Sequence, residues 1–110
     1  MSQIRITWTK ESRHNKTGKD LNIMGGWDVP CQNYHLLIEE SNPDEDDPNE
    51  GIIFCSMYEF PLDEPKTLKP LRKKAAELGI TLPEVFWDAC SRQLGNKFAD
   101  VLPDGSIRWG

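Results

Sequence analysis

The first signal along the chain is alternation. Ile4, Ile6 and Trp8 are separated by Arg5 and Thr7, the two-residue period of a half-buried β-strand. The polar and basic segment Glu11–Asp20, with Gly18 near its end, predicts a loop. Leu21, Ile23, Trp27 and Val29 predict a returning strand. Gly25-Gly26 within it marks a bulge or a close backbone approach, and Pro30 ends the ladder or puts it on an edge. Over residues 31–40, Tyr34, Leu36 and Ile38 face one way and Asn33, His35, Leu37 and Glu39 the other. A polar loop follows, and then Gly51–Phe60 is apolar on both faces, which predicts a central strand covered on both sides.

The second half changes period. Leu68, Leu71, Ala75 and Leu78 fall on one helical stripe, with Pro70 in the first turn and Gly79 placed to close the end. Thr81 and Glu84 have the T-x-x-E spacing of a capping box, flanked by Ile80 and Val85 as a hydrophobic staple. They predict a second helix reaching about Leu94, with Gly95 as its C-cap. Phe98, Val101, Leu102, Ile107 and Trp109, around a Pro103-Asp104-Gly105 turn, are too apolar for a dangling end. They predict a short extended tail packed back on the domain.

The expected fold is therefore α+β in one domain over residues 1–110. It has an antiparallel sheet of about four strands, then a two-helix hairpin packed on one face, then the C-terminal tail. Pattern alone leaves the strand order open.

Composition narrows the class. The chain has 110 residues, 37% hydrophobic, with four Trp and four Phe, too many large apolar side chains for a disordered chain. Eighteen acidic against thirteen basic residues give a net charge of −5, which argues against a protein that coats nucleic acid. Three cysteines without a CxxC spacing do not form a disulfide framework and suit a reducing compartment. No signal peptide, lipid-attachment motif or stretch long enough to cross a bilayer is apparent. The expected location is cytoplasmic, without membrane contact.

Charge is segregated along the chain. Residues 39–50 hold seven acids and no base, among them Asp44, Glu45, Asp46 and Asp47. A calcium loop of the EF-hand type needs a central Gly, whereas Pro43 and Pro48 interrupt this run. The acids serve either as a solvated turn that keeps the chain soluble or as a surface for a partner, including one that mimics nucleic-acid phosphate. The opposite charge collects on the first helix. Lys66, Lys69 and Lys73 lie opposite its apolar stripe, flanked by Arg72 and Lys74. Such a face could meet phosphates, with Lys10, Arg13, Lys16 and Lys19 adding to it, but it lacks interleaved aromatics for stacking bases. A solvated helix face is the favoured explanation.

Motifs for chemistry are weak. Cys31 and His35 are four residues apart, which in a strand separates their Cα atoms by about 13 Å, too far to share one metal. Cys55 and Cys90 read as small core residues, which leaves Cys31 as the exposed thiol. No GxSxG, HExxH or Gly-rich phosphate loop occurs. Accordingly, no catalytic residue, metal or cofactor is assigned. On the second helix, Trp87 and Leu94 form a stripe apart from the Phe86/Ala89 face. Either the tail covers it or it joins Trp109 as an exposed apolar patch for a partner.

These features predict a small acidic interaction or regulatory protein without catalysis, monomeric or homodimeric, with an unidentified protein partner. Its surfaces would be the Asp44–Asp47 loop, the basic helix face, or the Trp87/Leu94/Trp109 patch. The alternatives are a nucleic-acid-associated protein using the basic helix and the 10–19 loop, or a thiol-dependent enzyme around Cys31 and His35.

Overall fold

A computed structural model describes residues 1–48 and 50–110; Asn49 of the acidic loop lies outside the described residues. In chain order the elements are β1 (Gln3–Trp8), β2 (Leu21–Asp28), β3 (Asn33–Glu40), β4 (Ile52–Cys55), α1 (Ser56–Glu59), α2 (Lys69–Glu77), α3 (Glu84–Ser91), β5 (Phe98–Val101) and β6 (Ile107–Trp109). All six strands join one sheet in the order β4-β3-β2-β1-β5-β6. The pairs β1/β2, β2/β3, β3/β4 and β5/β6 are antiparallel, and β1/β5 is parallel. The expected four-stranded antiparallel sheet with a helical hairpin and a tail is thus corrected to a six-stranded mixed sheet with three helices.

Two physical reasons account for the difference. The supposed tail buries Ala99 and Val101 beside β1 and then folds back through the Pro103-Asp104-Gly105 turn. Asp104 Oδ1 accepts hydrogen bonds from the Ser106 N–H at 2.9 Å and its hydroxyl at 2.6 Å, which fixes that turn. A parallel neighbour needs a long crossover, and the helical segment supplies it. Second, the supposed central strand is short and lies at the sheet edge. Ser56 is buried and its Oγ accepts the Leu36 N–H at 2.9 Å, taking the place of a ladder carbonyl. The chain then leaves the sheet as the single turn of α1, closed by the Phe60 N–H on the Ser56 carbonyl at 3.1 Å.

The alternating apolar residues are buried, and Asn33 and His35 on the opposite face of β3 are buried as well. Ile4, Ile6, Leu21, Ile23, Tyr34, Leu36 and Ile38 are buried, together with Leu71 and Ala75 of α2 and Phe86, Ala89 and Cys90 of α3. The register of β2 with β3 runs unbroken from Leu21↔Glu40 to Asp28↔Asn33, so Gly25-Gly26 is not a bulge. It is a close approach: a Cβ on Gly25 would stand 2.9 Å from Phe86 Cζ, and one on Gly26 only 2.2 Å from the Ser2 carbonyl oxygen.

Helix α2 matches its stripe, with Pro70 in the first turn and Gly79 at φ +82° after the end. The capping box is corrected. Pro83 occupies the N-cap position of α3, and no side chain caps it. The Thr81 N–H donates to the His14 carbonyl at 2.8 Å, and the Lys16 N–H to the Gly79 carbonyl at 2.9 Å. The segment between the helices is therefore drawn out along the 9–20 loop, with an isolated bridge between Asn15 and Ile80, and the helices are not a tight hairpin. Helix α3 stops at Ser91, and Gln93 rather than Gly95 takes the left-handed conformation, at φ +55°. Among the described residues no helix is long and apolar enough to cross a membrane.

Candidate functional site

The chain's charge is more polarised than the acidic loop alone indicates. Residues 39–64 carry ten Asp and Glu and no Lys or Arg, whereas the remaining 84 carry thirteen bases and eight acids. This base-free stretch forms one edge of the sheet, comprising the end of β3, the loop, β4, α1 and the strap that follows. The same stretch exposes the three most exposed large apolar side chains described: Met57 at 68%, Tyr58 at 77% and Leu62 at 79%.

Local chemistry builds this edge. In the loop, the Glu40 N–H donates to the Gly51 carbonyl at 2.8 Å and the Asp47 N–H to the Asp44 carbonyl at 3.0 Å. Asp47 Oδ2 accepts the Gly51 N–H at 3.2 Å. Gly51 sits at φ +83°, and a Cβ there would meet Pro43 Cβ at 2.6 Å, so the proline packs where only glycine fits. The loop is thereby folded on itself, while Asp44, Glu45 and Asp46 remain exposed. Glu40 is neutralised by Lys19, whose Nζ lies 2.8 Å from Oε1.

Beyond β4, the one-turn helix buries Ser56 and turns Met57 and Tyr58 outward. Tyr58 borders a shallow depression of about 350 Å³ with Pro48, Glu50 and Ile52. The strap is then pinned to the start of β3. Asn33 Nδ2 donates to the Glu64 carbonyl at 3.0 Å, the Tyr34 N–H to the Pro65 carbonyl at 3.0 Å, and Lys66 Nζ to the Gln32 carbonyl at 2.8 Å. Leu62 rides on this strap. With Met1, Met57, Phe60 and Pro61 it walls a small cleft of about 60 Å³, where Asp28, Cys31, Asn33 and His35 also appear.

Cys31 and His35 therefore do reach one cleft, but not as a nucleophile and base. Burial, followed by the carboxylate of Asp28, pushes the Cys31 thiol above its ordinary range, which disfavours the thiolate. Burial also holds His35 below the usual histidine value, opposed by its hydrogen bond to the Ser2 carbonyl at 2.9 Å. Among the described residues no three His, Cys, Asp or Glu side chains gather as metal ligands. Cys90, deep in α3, has its thiol pushed up to about 12 by burial.

The other sequence-derived surfaces are distributed differently. On α2, Arg72 pairs with both Glu84 carboxylate oxygens and lies 5.4 Å from the Trp87 ring centroid. Lys74 lies over Phe54, and Lys66 serves the strap. Lys69 and Lys73 remain as exposed charges. Trp87 is only 4% exposed, set edge-on against Phe86, while Leu94 is partly buried. Trp109 is 37% exposed on β6, with Arg92 over its ring at 5.4 Å. Trp87 thus belongs to the core, covered in part by Arg72, and the three side chains do not present a common apolar surface.

Sequence reasoning passed over Met57, Tyr58, Leu62 and Asn33. The first three were findable: large apolar residues inside a 26-residue run without a base, next to a proline break. Nothing in the sequence marks Asn33. No protein-family model, no curated protein and no solved structure matches this chain.

Proposed function

We propose that this chain is a non-catalytic docking protein whose β4–α1 edge receives a basic protein partner. One observation carries the reading: the stretch 39–64, with ten acids and no base, also carries the most exposed large apolar side chains described, Met57, Tyr58 and Leu62. Exposed apolar side chains within a charged rim are the usual composition of a protein-binding surface. In such an arrangement the acids accelerate encounter with a cationic partner, and the desolvated apolar contacts supply most of the affinity. The partner is expected to present Lys or Arg around one or more apolar anchors.

The three thiols Cys31, Cys55 and Cys90 are unpaired, which fits action in a reducing cytoplasm. The nucleic-acid alternative draws less support, because Arg72, Lys74 and Lys66 of the basic helix region are engaged within the molecule.

Photo-crosslinking tests the proposal. A photoreactive phenylalanine analogue at position 58 should trap a protein in cells, through a peptide rich in Lys and Arg. The same group at position 106, on the turn at the opposite edge of the sheet, should not. Crosslinks from position 106 with none from position 58 would overturn the proposal.

A further inference from the structure

Resting on that docking surface, we infer that the cleft between Met57 and Leu62 is an anchor pocket for one small aliphatic side chain of the partner, whose backbone N–H reaches Asn33 Oδ1. Asn33 is only 9% exposed and lines the cleft. Its Nδ2 is committed to the Glu64 carbonyl, but its Oδ1 is buried without a hydrogen-bond partner. A buried acceptor left unpaired is costly, so a ligand that brings a donor to it gains what the free protein lacks. The cysteine beside it keeps its proton, and His35 Nε2 is already bonded to the Ser2 carbonyl, so neither offers an incoming N–H a charged acceptor in the cleft.

Size and walls set the rest of the ligand. A volume of about 60 Å³ matches the liquid share of about two waters. A side chain of valine size fits, and an indole does not. Met1, Met57, Phe60, Pro61 and Leu62 give apolar walls. Charge gives the flanks of the ligand: Asp28 lies in the cleft, Glu59, Asp63 and Glu64 belong to the elements that frame it, and these four acids outnumber the nearby cations, Lys66, held on the Gln32 carbonyl, and the Met1 ammonium. The occupant is therefore a Lys/Arg-rich extended segment with a small aliphatic residue at its centre.

Four capped heptapeptides test this. Each has six Lys or Arg residues around a central Gly, Val, Trp or N-methyl-Val, and each is titrated at low salt into isotope-labelled protein by NMR. The Val peptide should bind about tenfold tighter than the Gly peptide, shifting the Met57 and Leu62 methyls and the Asn33 side-chain amide. N-methylation, which removes the donor, should weaken it about fivefold, and the Trp peptide should be no tighter than Gly. Equal affinities, with shifts confined to the acidic loop, would overturn the anchor pocket and leave the docking surface standing. A Trp peptide that binds tightest would overturn the size argument and with it the proposal. No shift with any peptide would defeat the pocket and the docking surface together.

Discussion

His35 and Ser2 are joined across an intervening strand: the imidazole Nε2 of His35 on β3 donates to the Ser2 carbonyl, 2.9 Å away, just before β1. Gly26 of β2 is the register partner of His35 and lies between them without a side chain. Ser2 is itself fully buried, and its Oγ accepts the Trp27 N–H at 2.8 Å.

A methyl group on Gly26 has nowhere to go. Its Cβ would stand 2.2 Å from backbone oxygen, whereas one on Gly25 meets the side-chain atoms of Phe86 and Cys90 at 2.9 and 3.1 Å, and the nearest backbone oxygen, of His35, at 3.3 Å. Gly26→Ala should cost about 3 kcal/mol, the upper end for overpacking, and Gly25→Ala clearly less. Urea denaturation midpoints compare them, and equal losses would contradict this account.

Protonation of His35 opposes folding. Its folded value lies below the ordinary 6.5, chiefly through burial. The unfolded chain therefore takes up the proton first, and stability is retained above about pH 6.5 and lost as pH falls below it. His35→Gln keeps a donor for the Ser2 carbonyl but does not titrate. Its unfolding free energy should change less than that of the wild type between about pH 7.5 and 5. Parallel profiles for the two proteins would contradict the assignment.

The tryptophans should separate by burial. Trp87→Ala should destabilise by about 3–5 kcal/mol, as for a core aromatic. Trp109→Ala, on a three-residue edge strand, should cost about 1 kcal/mol. Thermal or urea unfolding distinguishes them, and a tolerant Trp87 would mean that it does not belong to the core.

The acids of the loop should matter for association and not for folding. Neutralising Asp44, Glu45 and Asp46 as amides, while keeping Asp47 for its bond to the Gly51 N–H, should leave the melting temperature unchanged. Affinity for a Lys/Arg-rich peptide should fall about tenfold at low salt and little at high salt, where the loop charges are already screened. An affinity loss that persists at high salt would argue for direct contacts in place of long-range attraction.

Much of the fold was legible in local pattern. Ile4 and Ile6, Leu21 and Ile23, and Tyr34, Leu36 and Ile38 show the two-residue period of their strands, and Leu71 and Ala75 the stripe of α2. Non-local pairing was not. β5 and β6 have four and three residues, too few for a period, and nothing near them specifies a parallel neighbour 95 residues earlier in the chain. The site was hidden by one hydrogen bond. Gly51–Phe60 reads as a strand apolar on both faces, whereas the Ser56 hydroxyl on the Leu36 amide ends the ladder and the α1 turn that follows puts Met57 and Tyr58 in solvent. The acidic half of the surface was visible as charge, but its apolar half was not.

The most direct test of the docking surface is affinity capture from nuclease-treated lysate with three baits compared quantitatively. They are the wild type, a Met57→Ser/Tyr58→Ser/Leu62→Ser triple variant, and a Lys69→Glu/Lys73→Glu variant. A stoichiometric basic partner should appear on the wild type and on the lysine variant, be absent from the triple variant and be released as salt rises. The same partner on all three baits, or one lost only with the lysine variant, would contradict the docking surface.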